Sequence, residues 1–229
     1  MRHIGIVACS AEGAALCYRT ICTEGERALG KRWAHPEVSV HTHSLADYAR
    51  CLEGGDLEGV GELMLSSARK LAAAGADFFI CPDNTIHAAL PLVEPRSPGP
   101  WLHIAEVVAA EAAARGFRKV GLTGTRWLVE SDVYPPRLAA RGMQCIRPEP
   151  GARADLQRII MDELVRSEFH RASTSRCVAI IDGLKESGCD AVILGCTELP
   201  LILSDGNSPL PTLDSTRLLA RAALRHAVG

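Results

Sequence analysis

The amino-acid sequence predicts an α/β protein made of two similar Rossmann-like lobes, each built on a parallel sheet. Two observations support this fold class. Short apolar runs alternate with longer segments whose apolar residues recur every three or four positions. Three segments from the first half of the chain also resemble three segments from the second half, in the same order. A chain of 229 residues is long enough to bury a core in each of two such lobes.

The order of the elements follows from the apolar runs. The short runs predict seven strands, at His3–Ala8, Val38–His41, Asp77–Cys81, Trp101–Ile104, Lys119–Thr123, Gln144–Arg147 and Ala191–Leu194. The helical spacing predicts five main helices, at Leu57–Ala74, Ile104–Arg115, Ala152–Arg166, Cys177–Ser187 and Ser215–Ala227. Each of the internal helices is long enough to connect two parallel strands.

The internal repeat divides the chain. Arg2–Ser10 resembles Arg118–Arg126, Gly75–Asp83 resembles Gly188–Cys196, and Pro100–His103 resembles Pro211–Asp214. One such match could arise by chance, but three in register indicate two related lobes with pseudo-twofold symmetry. We expect lobe 1 to comprise residues 1–98 with the C-terminal helix 212–229, and lobe 2 to comprise residues 99–211. The strand ends of the two lobes are expected to face each other, with the active site in the cleft between them.

Composition excludes several classes of function. Apolar residues make up 47% of the chain, charged residues make up 23%, and the formal net charge is −2. Because there is no block of basic residues, we expect neither a nucleic-acid partner nor a membrane partner. The nine cysteines occur at neither zinc-finger nor disulfide-framework spacings, which is typical of reduced thiols in a cytoplasmic protein. No signal peptide, spanning segment or metal site is predicted.

Asp83 and Cys196 occupy equivalent strand ends in the repeat. Ligands of open α/β sheets bind at the carboxyl ends of strands, so these two side chains are candidates for a site. Two opposed proton-carrying groups could remove a proton from one face of a carbon and return it to the other. Each residue also has a structural interpretation: Asp83 as a helix cap, and Cys196 as a small buried side chain. Their equivalent placement favours the functional interpretation.

Four segments resemble the aspartate/glutamate racemase superfamily: Ile4–Val7, Pro82–His87, Gly121–Thr125 and Leu194–Pro200. The last, Leu-Gly-Cys-Thr-Glu-Leu-Pro, is the most specific. The resemblance covers nearly the whole chain. It implies two Rossmann-like lobes with the substrate between them, no cofactor or metal, and a homodimer.

The resemblance also implies roles for individual residues. Cys196 matches the second catalytic cysteine of the family, and Thr197 matches its carboxylate-binding neighbour. The remaining matches are predicted substrate-binding residues: Ser10, Asn84, Thr85, Thr125 and Arg166. Aspartate racemases carry a further arginine in a first-lobe loop, for which Tyr48 and Arg50 are the nearest candidates here. Arg50 is the predicted substrate ligand, although a solvated surface charge is the commoner fate of such a residue.

One departure from the family pattern limits the mechanism. Asp83 stands where the family has its first catalytic cysteine. A carboxyl group has a reference pKa near 3.9, against about 8.5 for a thiol, so Asp83 is intrinsically the weaker base. Asp83 is therefore an acid/base group, an anchor for the substrate amine, or a cap. Two nearby residues also have two interpretations each. His87 is either a partner of Asp83 or a structural histidine, and Glu198 is either a proton acceptor for Cys196 or a complement to the helix dipole.

The sequence therefore predicts a cofactor-independent racemase or epimerase of an amino acid with an acidic side chain, with Cys196 and Asp83 as opposed acid/base groups. The alternative enzyme is a single-cysteine decarboxylase, isomerase or lyase acting on a related small carboxylate. A third interpretation is a carboxylate-binding protein without turnover. Retention of the whole Gly-Cys-Thr-Glu segment at 195–198 disfavours it.

Overall fold

Two four-stranded parallel sheets organise the chain, which a computed structural model describes over residues 1–229. One compact unit comprises Met1–Val107 with Thr216–Gly229, and the other comprises Val108–Ser215. Each unit contains one of the sheets. The α/β class, the parallel sheets and the two-lobe architecture predicted from the sequence are thereby confirmed.

The first unit contains the sheet with strand order β2-β1-β3-β4. Its strands are β1 (Ile4–Ala8), β2 (Val38–Thr42), β3 (Phe78–Ile80) and β4 (Trp101–Leu102). The helices along this part of the chain are α1 (Ala11–Leu29), α2 (Leu45–Glu53), α3 (Leu57–Ala73), α4 (Leu90–Val93) and α5 (Ile104–Ala114). Two short 3-10 turns, Thr85–Ala89 and Glu94–Arg96, flank α4.

The second unit repeats this arrangement with strand order β6-β5-β7-β8. Its strands are β5 (Lys119–Thr123), β6 (Gln144–Ile146), β7 (Ala191–Leu194) and β8 (Thr212–Asp214). The helices of this unit are α6 (Arg126–Val129), α7 (Pro135–Ala139), α8 (Pro150–Arg158) and α9 (Arg171–Glu186). Helix α10 (Ser215–Val228) follows β8 and belongs, from Thr216 onward, to the first unit. A π-helical segment, Ile159–Glu163, and the 3-10 turns Leu164–Arg166 and Leu199–Leu201 complete the second unit.

Helices cover both faces of the first sheet, which explains why its central strands read as continuous apolar runs. Alternate residues of β1 point to opposite faces. Ile4 and Ile6 pack with side chains of α1 and α10, while Val7 packs with side chains of α3. The same alternation in β3 directs Phe79 and the following Cys81 toward α3. The face that contacts α3 therefore also holds the residues just beyond the strand ends.

All seven predicted strands are present, with ends that shift by up to two residues. Strand β8 was missed because only three residues separate Pro211 from helix α10. Helices α1 and α2 were also missed. Helix α1 contains Gly13 and Gly25, which weaken the helical signal. The predicted helix Ala152–Arg166 is wrong over its second half, because the α-helix ends at Arg158 and continues as π and 3-10 turns.

The boundaries between the two units lie after the fourth strand of each sheet, because that strand pairs with its own sheet. Strand β4 pairs with β3 of the first sheet, and β8 pairs with β7 of the second. The units accordingly change at Val107/Val108, within α5, and at Ser215/Thr216. The sequence placed these divisions at 98/99 and 211/212, ahead of each fourth strand.

Gly195 offers a test of the packing between β5 and β7. A Cβ atom at this position would lie 2.5 Å from the carbonyl oxygen of Thr123 and 2.6 Å from Cδ2 of Leu128. We expect Gly195→Ala to lower the free energy of unfolding by about 1–3 kcal/mol, because neither backbone can withdraw without breaking the sheet. Urea denaturation measures the change.

Gly183→Ala is the matched control. Gly183 lies in α9, and a Cβ there meets no heavy atom within 4 Å. This variant should gain roughly 0.5–1 kcal/mol, since alanine is the better helix former. A Gly195→Ala protein as stable as the wild type would contradict the close approach of the two strands.

Candidate active site

In both sheets, the residues that follow the two central strands lie where the strand order reverses. Sheets of order 2-1-3-4 bind ligands beyond the carboxyl ends of strands 1 and 3. In the first unit these ends lead to Cys9–Ser10 and to Cys81–Thr85. In the second unit they lead to Gly124–Thr125 and to Gly195–Thr197. The candidate residues from the sequence are therefore at the topological position that the fold favours for a ligand.

Asp83 caps the short turn that follows β3. Its Oδ1 accepts hydrogen bonds from the backbone N–H of Thr85 at 2.9 Å and of Ile86 at 3.2 Å. These bonds fix the carboxylate at the first turn of the Thr85–Ala89 segment and stabilise its ionised form. Asp83 is half-buried, while Asn84 and Thr85 are buried beside it. The capping interpretation is thus realised in the geometry, and the same carboxylate remains the candidate acid/base group.

Cys81 does not stand in for the missing first cysteine. Its thiol is fully buried and donates to the carbonyl oxygen of Asp83, with a separation of 3.6 Å. Burial raises the pKa of the Cys81 thiol well above its usual value, and the nearby charge of Asp83 raises it further. A thiol that stays protonated in the core neither attacks nor accepts a proton. Cys81 is therefore a structural residue of the first unit.

His87 supports the backbone of the same loop. Its Nε2 donates a hydrogen bond to the carbonyl oxygen of Cys81 at 3.0 Å, and its ring packs against His103 with centroids 4.6 Å apart. His87 is 1% exposed. A buried histidine that holds a backbone carbonyl agrees with the structural alternative.

Tyr48 and Arg50, the two candidates for a substrate-binding residue in the first lobe, lie on opposite sides of helix α2. The side chain of Arg50 is 76% exposed and pairs with Asp47 at 3.3 Å on the outer surface. Tyr48 is fully buried and belongs to the same apolar cluster as Cys9 and Cys81. Burial raises the pKa of the Tyr48 phenol far above its usual value, and the neighbouring thiols Cys81 and Cys9 add to the effect. The structure thus brings Tyr48, and not Arg50, toward the ends of β1 and β3.

Ser10 and Thr125 hold equivalent positions in the two units. Each is the N-cap of the helix that follows the first strand of its sheet, and each is 7% exposed. The hydroxyl of Ser10 accepts from the N–H of Gly13, and that of Thr125 from the N–H of Leu128, both at 3.3 Å. These caps orient a helix start, which is a favourable place for an anion such as a carboxylate.

Cys196 is hydrogen-bonded to a carboxylate. Its thiol donates to Oε2 of Glu198 with an S···O separation of 2.9 Å, and the hydroxyl of Thr197 donates to the same oxygen at 2.7 Å. Cys196 is 7% exposed, and both Thr197 and Glu198 are 2% exposed. A carboxylate within hydrogen-bonding distance is positioned to take the thiol proton. These hydrogen bonds agree with the first of the two sequence-based alternatives for Glu198, a proton acceptor for Cys196.

The sequence signal for Glu198 was its spacing from Cys196. The two residues are separated by one position in a turn that ends at the 3-10 segment Leu199–Leu201. A turn of this kind can direct side chains two positions apart toward each other, whereas a regular helix directs them to different faces. The sequence alone predicted a helix start here.

Arg166 lies on the surface of the second unit. It is exposed at the end of the 3-10 turn Leu164–Arg166, followed by Ser167 with a φ of 58°. No hydrogen bond or ion pair links Arg166 to Cys196. The arginine fixed by an ion pair in this region is Arg158, whose Nη1 donates to Oε1 of Glu163 at 2.6 Å. Binding of a substrate carboxylate by Arg166 stays a prediction, as does binding by Arg50.

Two further observations concern metals and membranes. The chain contains no group of three or more His, Cys, Asp and Glu side chains arranged to hold a metal ion. No helix combines the length and the apolar character that crossing a bilayer requires.

The chain is similar to known racemases in sequence. A family model described as Asp/Glu/hydantoin racemase matches residues 19–223. The broad specificity amino-acid racemase RacX of Bacillus subtilis is 25% identical over 169 residues, which cover 74% of this chain and 73% of RacX. A glutamate racemase of Thermus thermophilus is 35% identical over 123 residues, which cover 52% of this chain but only 43% of the relative.

Solved structures show the same similarity over the full length. A candidate Asp/Glu racemase from Yersinia pestis superposes with a TM-score of 0.89 at 28% identity and covers 100% of both chains. An aspartate racemase homologue from Pyrococcus horikoshii superposes with a TM-score of 0.83, also at 28% identity and 100% coverage of both chains. The family resemblance inferred from four short segments therefore extends over residues 19–223, and the similarity in fold covers the whole chain.

Substitution of Asp83 separates its structural role from its chemical role. We expect Asp83→Ala to destabilise the protein by about 0.5–2 kcal/mol, since the amides of Thr85 and Ile86 lose their acceptor. Asp83→Asn should be close to wild type in stability, because the side-chain carbonyl still caps the turn. Thermal unfolding measures both. Equal stability of the alanine and asparagine variants would contradict the capping geometry.

Proposed function

Because this chain belongs to the Asp/Glu/hydantoin racemase family, a family of isomerases, we propose that it racemises or epimerises an amino acid without a cofactor. In this proposal Cys196 exchanges the proton at Cα on one face of the substrate, and Asp83 serves the other face. The proposed substrate has an acidic side chain, as in aspartate or glutamate. Stereoinversion needs two such groups, because one group can only return the proton to the face from which it came.

The observation that carries the proposal is the hydrogen bond between the Cys196 thiol and the Glu198 carboxylate, at 2.9 Å. A thiol is a weak base until it loses its proton, and an adjacent carboxylate supplies an acceptor for that proton. Both groups are almost completely buried, so the transfer takes place with little competition from water. This arrangement is suited to a thiolate that removes a proton from carbon.

The protonation states of Cys196 and Asp83 at the start of the reaction differ between the two directions of racemisation. When Cys196 is the base, its thiolate takes the proton from Cα, and protonated Asp83 returns one to the opposite face. When Asp83 is the base, its carboxylate takes the proton, and the Cys196 thiol returns one. The negative charge that develops on the substrate carboxylate in either direction would be stabilised by hydroxyl, amide and backbone donors, here assigned to Ser10, Asn84, Thr85, Thr125 and Thr197.

The two groups are not equally good bases. Two backbone amides donate hydrogen bonds to the Asp83 carboxylate and weaken it as a base, whereas a Cys196 thiolate next to the Glu198 carboxylate is the stronger base, because a neighbouring negative charge favours the protonated thiol. We therefore expect exchange of the Cα proton through Cys196 to be faster than exchange through Asp83. The forward and reverse turnover rates nevertheless remain tied to the equilibrium constant.

Acidic substrates are supported by the relatives. Glutamate racemases and an aspartate racemase homologue are among the similar proteins. RacX, however, is a racemase of broad specificity, and the exposed Arg50 and Arg166 provide no preformed cation for a second carboxylate. A substrate panel of acidic and neutral amino acids therefore tests the preference for an acidic side chain.

The second candidate is a single-cysteine decarboxylase, isomerase or lyase that acts on a related carboxylate. It is favoured by the capping role of Asp83, which engages the first-unit carboxylate in fixed hydrogen bonds. Such an enzyme needs only one proton-carrying group, and the Cys196–Glu198 pair would provide it. Repulsion between Asp83 and a departing carboxylate counts against decarboxylation.

Proton NMR in D₂O tests the proposal directly. The protein is incubated with L- and D-aspartate, L- and D-glutamate and a panel of neutral amino acids, and loss of the Cα proton signal is followed together with chiral chromatography. We expect exchange with inversion for the wild type. Cys196→Ala should lose at least about 10³-fold in rate, and both Glu198→Gln and Asp83→Asn about 10²-fold, because each lacks one proton-transfer group.

Cys22→Ser is the matched control, since Cys22 is a partly exposed thiol on α1 and should be fully active. Exchange with retained configuration would identify Cys196 as the one working group and favour the second candidate. Absence of exchange with any amino acid would rule out the racemase proposal and direct the assays to decarboxylation, isomerisation and lyase cleavage.

A further inference from the structure

The peptide unit between Leu194 and Gly195 is held at both of its polar groups by hydrogen bonds. The hydroxyl of Ser215 donates to the carbonyl oxygen of Leu194 at 2.7 Å. The N–H of Gly195 donates to the carbonyl oxygen of Thr123 at 2.9 Å. Because a peptide unit is planar, hydrogen bonds at its two opposite ends fix its rotation about the chain. These two bonds therefore set the direction in which the chain continues into Cys196.

Gly195 makes this fixation necessary. A glycine has no side chain to restrict its backbone, and the carbonyl of Thr123 leaves no room for one at this position. The direction of the chain into Cys196 therefore depends on hydrogen bonds to the peptide itself. The turn that follows is held at its other end by Leu199, which is fully buried. Rotation of the peptide before Gly195 would thus change where the Cys196 thiol lies relative to β7 and to Glu198.

Ser215 is itself held by a buried phenol. Ser215 and Tyr134 are both fully buried, and their side chains are hydrogen-bonded to each other. The serine has one hydroxyl proton, which it donates to the carbonyl of Leu194, so the phenol is the donor to the serine oxygen. Burial raises the pKa of the Tyr134 phenol far above its usual value, and the phenol therefore keeps its proton. The two hydroxyls form one chain that ends on the Leu194 carbonyl, and the members of such a chain polarise one another.

The alternative role for Ser215 is that of a helix cap, since it is the first residue of α10. A capping hydroxyl accepts a hydrogen bond from an amide of the first helical turn. The Ser215 hydroxyl instead donates to the carbonyl of the neighbouring strand. It directly follows Asp214, which is paired with Leu194 in the ladder between β8 and β7. The hydrogen bond thus extends the attachment of β7 by one residue beyond the last pair of the ladder.

We propose that Ser215 is a positioning residue for Cys196, and that Tyr134 supports Ser215 in this role. The inference rests on the proposed function, in which Cys196 exchanges the proton at Cα, and it adds two residues that act through the backbone. Proton transfer from carbon needs the acceptor within reach of the proton, and a misplacement of about 1 Å lowers the rate by up to about 10²-fold. The fixed peptide holds the thiol in place before the substrate binds.

The test compares Ser215→Ala with Ser215→Thr in the kinetics of Cα-proton exchange. Ser215→Ala should lower kcat about 10-fold or more and leave KM within about 2-fold, because the substrate still binds but the thiol is misplaced. Ser215→Thr keeps the hydroxyl and should retain kcat within about 3-fold, although its added methyl group in a packed site lowers the melting temperature. A kcat that follows the hydroxyl, and not the melting temperature, separates positioning from a general loss of stability.

Two further variants complete the comparison. Tyr134→Phe removes only the outer member of the chain, so kcat should fall by a smaller factor, about 2–5-fold, with unchanged KM. This variant also replaces Ser215→Ala should the latter fail to fold. Thr20→Val is the matched control, because the buried hydroxyl of Thr20 on α1 donates to the carbonyl oxygen of Leu16 at 2.7 Å, as Ser215 does to that of Leu194. Loss of this equivalent bond in the first unit should leave both kcat and KM unchanged.

Alkylation of Cys196 by iodoacetamide keeps the inference testable if the protein racemises no amino acid and the proposed function fails. Peptide mass spectrometry follows the reaction at this cysteine as a function of pH. In Ser215→Ala the thiol moves away from the Glu198 carboxylate, and a thiolate forms more readily without a neighbouring negative charge. The midpoint of the pH profile should therefore fall by about 0.5 unit or more, whereas Thr20→Val should keep the wild-type midpoint.

The opposite results overturn the inference. An alkylation profile of Ser215→Ala that coincides with the wild-type profile would show that the hydroxyl does not position the thiol, whether or not the protein turns over an amino acid. A rise in KM with unchanged kcat would place the effect of Ser215 on substrate binding instead. An equal loss of kcat in Thr20→Val would reduce the role of Ser215 to stability alone.

Discussion

The contact between the backbones of β5 and β7 governs the geometry of the second unit. Gly195 donates its N–H to the carbonyl oxygen of Thr123 at 2.9 Å, and the hydroxyl of Thr123 donates to the carbonyl oxygen of Ile193 at 2.7 Å. A side chain at position 195 would collide with that same carbonyl. The two strands therefore stay together up to the residue before Cys196, and the chain must turn directly after it. The turn brings the Cys196 thiol to Glu198, so a packing constraint in the sheet fixes the distance between the thiol and the carboxylate.

The repeat provides two equivalent frameworks, but the residues placed on them have different chemistry. Asp83 and Cys196 each follow the third strand of a sheet in sequence order, beyond the switch point. The carboxylate of Asp83 takes its hydrogen bonds from backbone amides and is stabilised as an anion. The thiol of Cys196 instead gives its hydrogen bond to the carboxylate of Glu198. One framework thus holds a carboxylate that accepts hydrogen bonds from backbone amides, and the other holds a thiol that donates a hydrogen bond to a carboxylate. This asymmetry follows from local hydrogen bonding rather than from the fold.

The strands and the position of the site could be predicted from the sequence, because apolar runs and internal repeats can be recognised without knowing which residues are in contact. Seven strands are short apolar runs, and the repeat identifies the strand ends where Asp83 and Cys196 lie. The misses have local causes. Strand β8 is formed by only three residues, and the helix after Arg158 changes its hydrogen-bonding pattern without a sequence signal such as proline. The role of Glu198 depended on whether residues 196–198 form a helix or a turn, which tertiary packing decides. The domain divisions depended on strand pairing, which the repeat does not specify.

The orientation of α2 could have been inferred from the sequence, and it bears on how the first unit recognises a ligand. Successive residues of a helix are about 100° apart, so Tyr48 and Arg50 must point to nearly opposite sides. Leu45, Tyr48 and Leu52 share one apolar stripe, and the structure packs all three in the same cluster. Burying that stripe necessarily exposes Arg50, because no rotation of the helix can bury both. Burial of this apolar stripe is favourable, and it therefore places the side chain of Tyr48, and not that of Arg50, near the ends of β1 and β3.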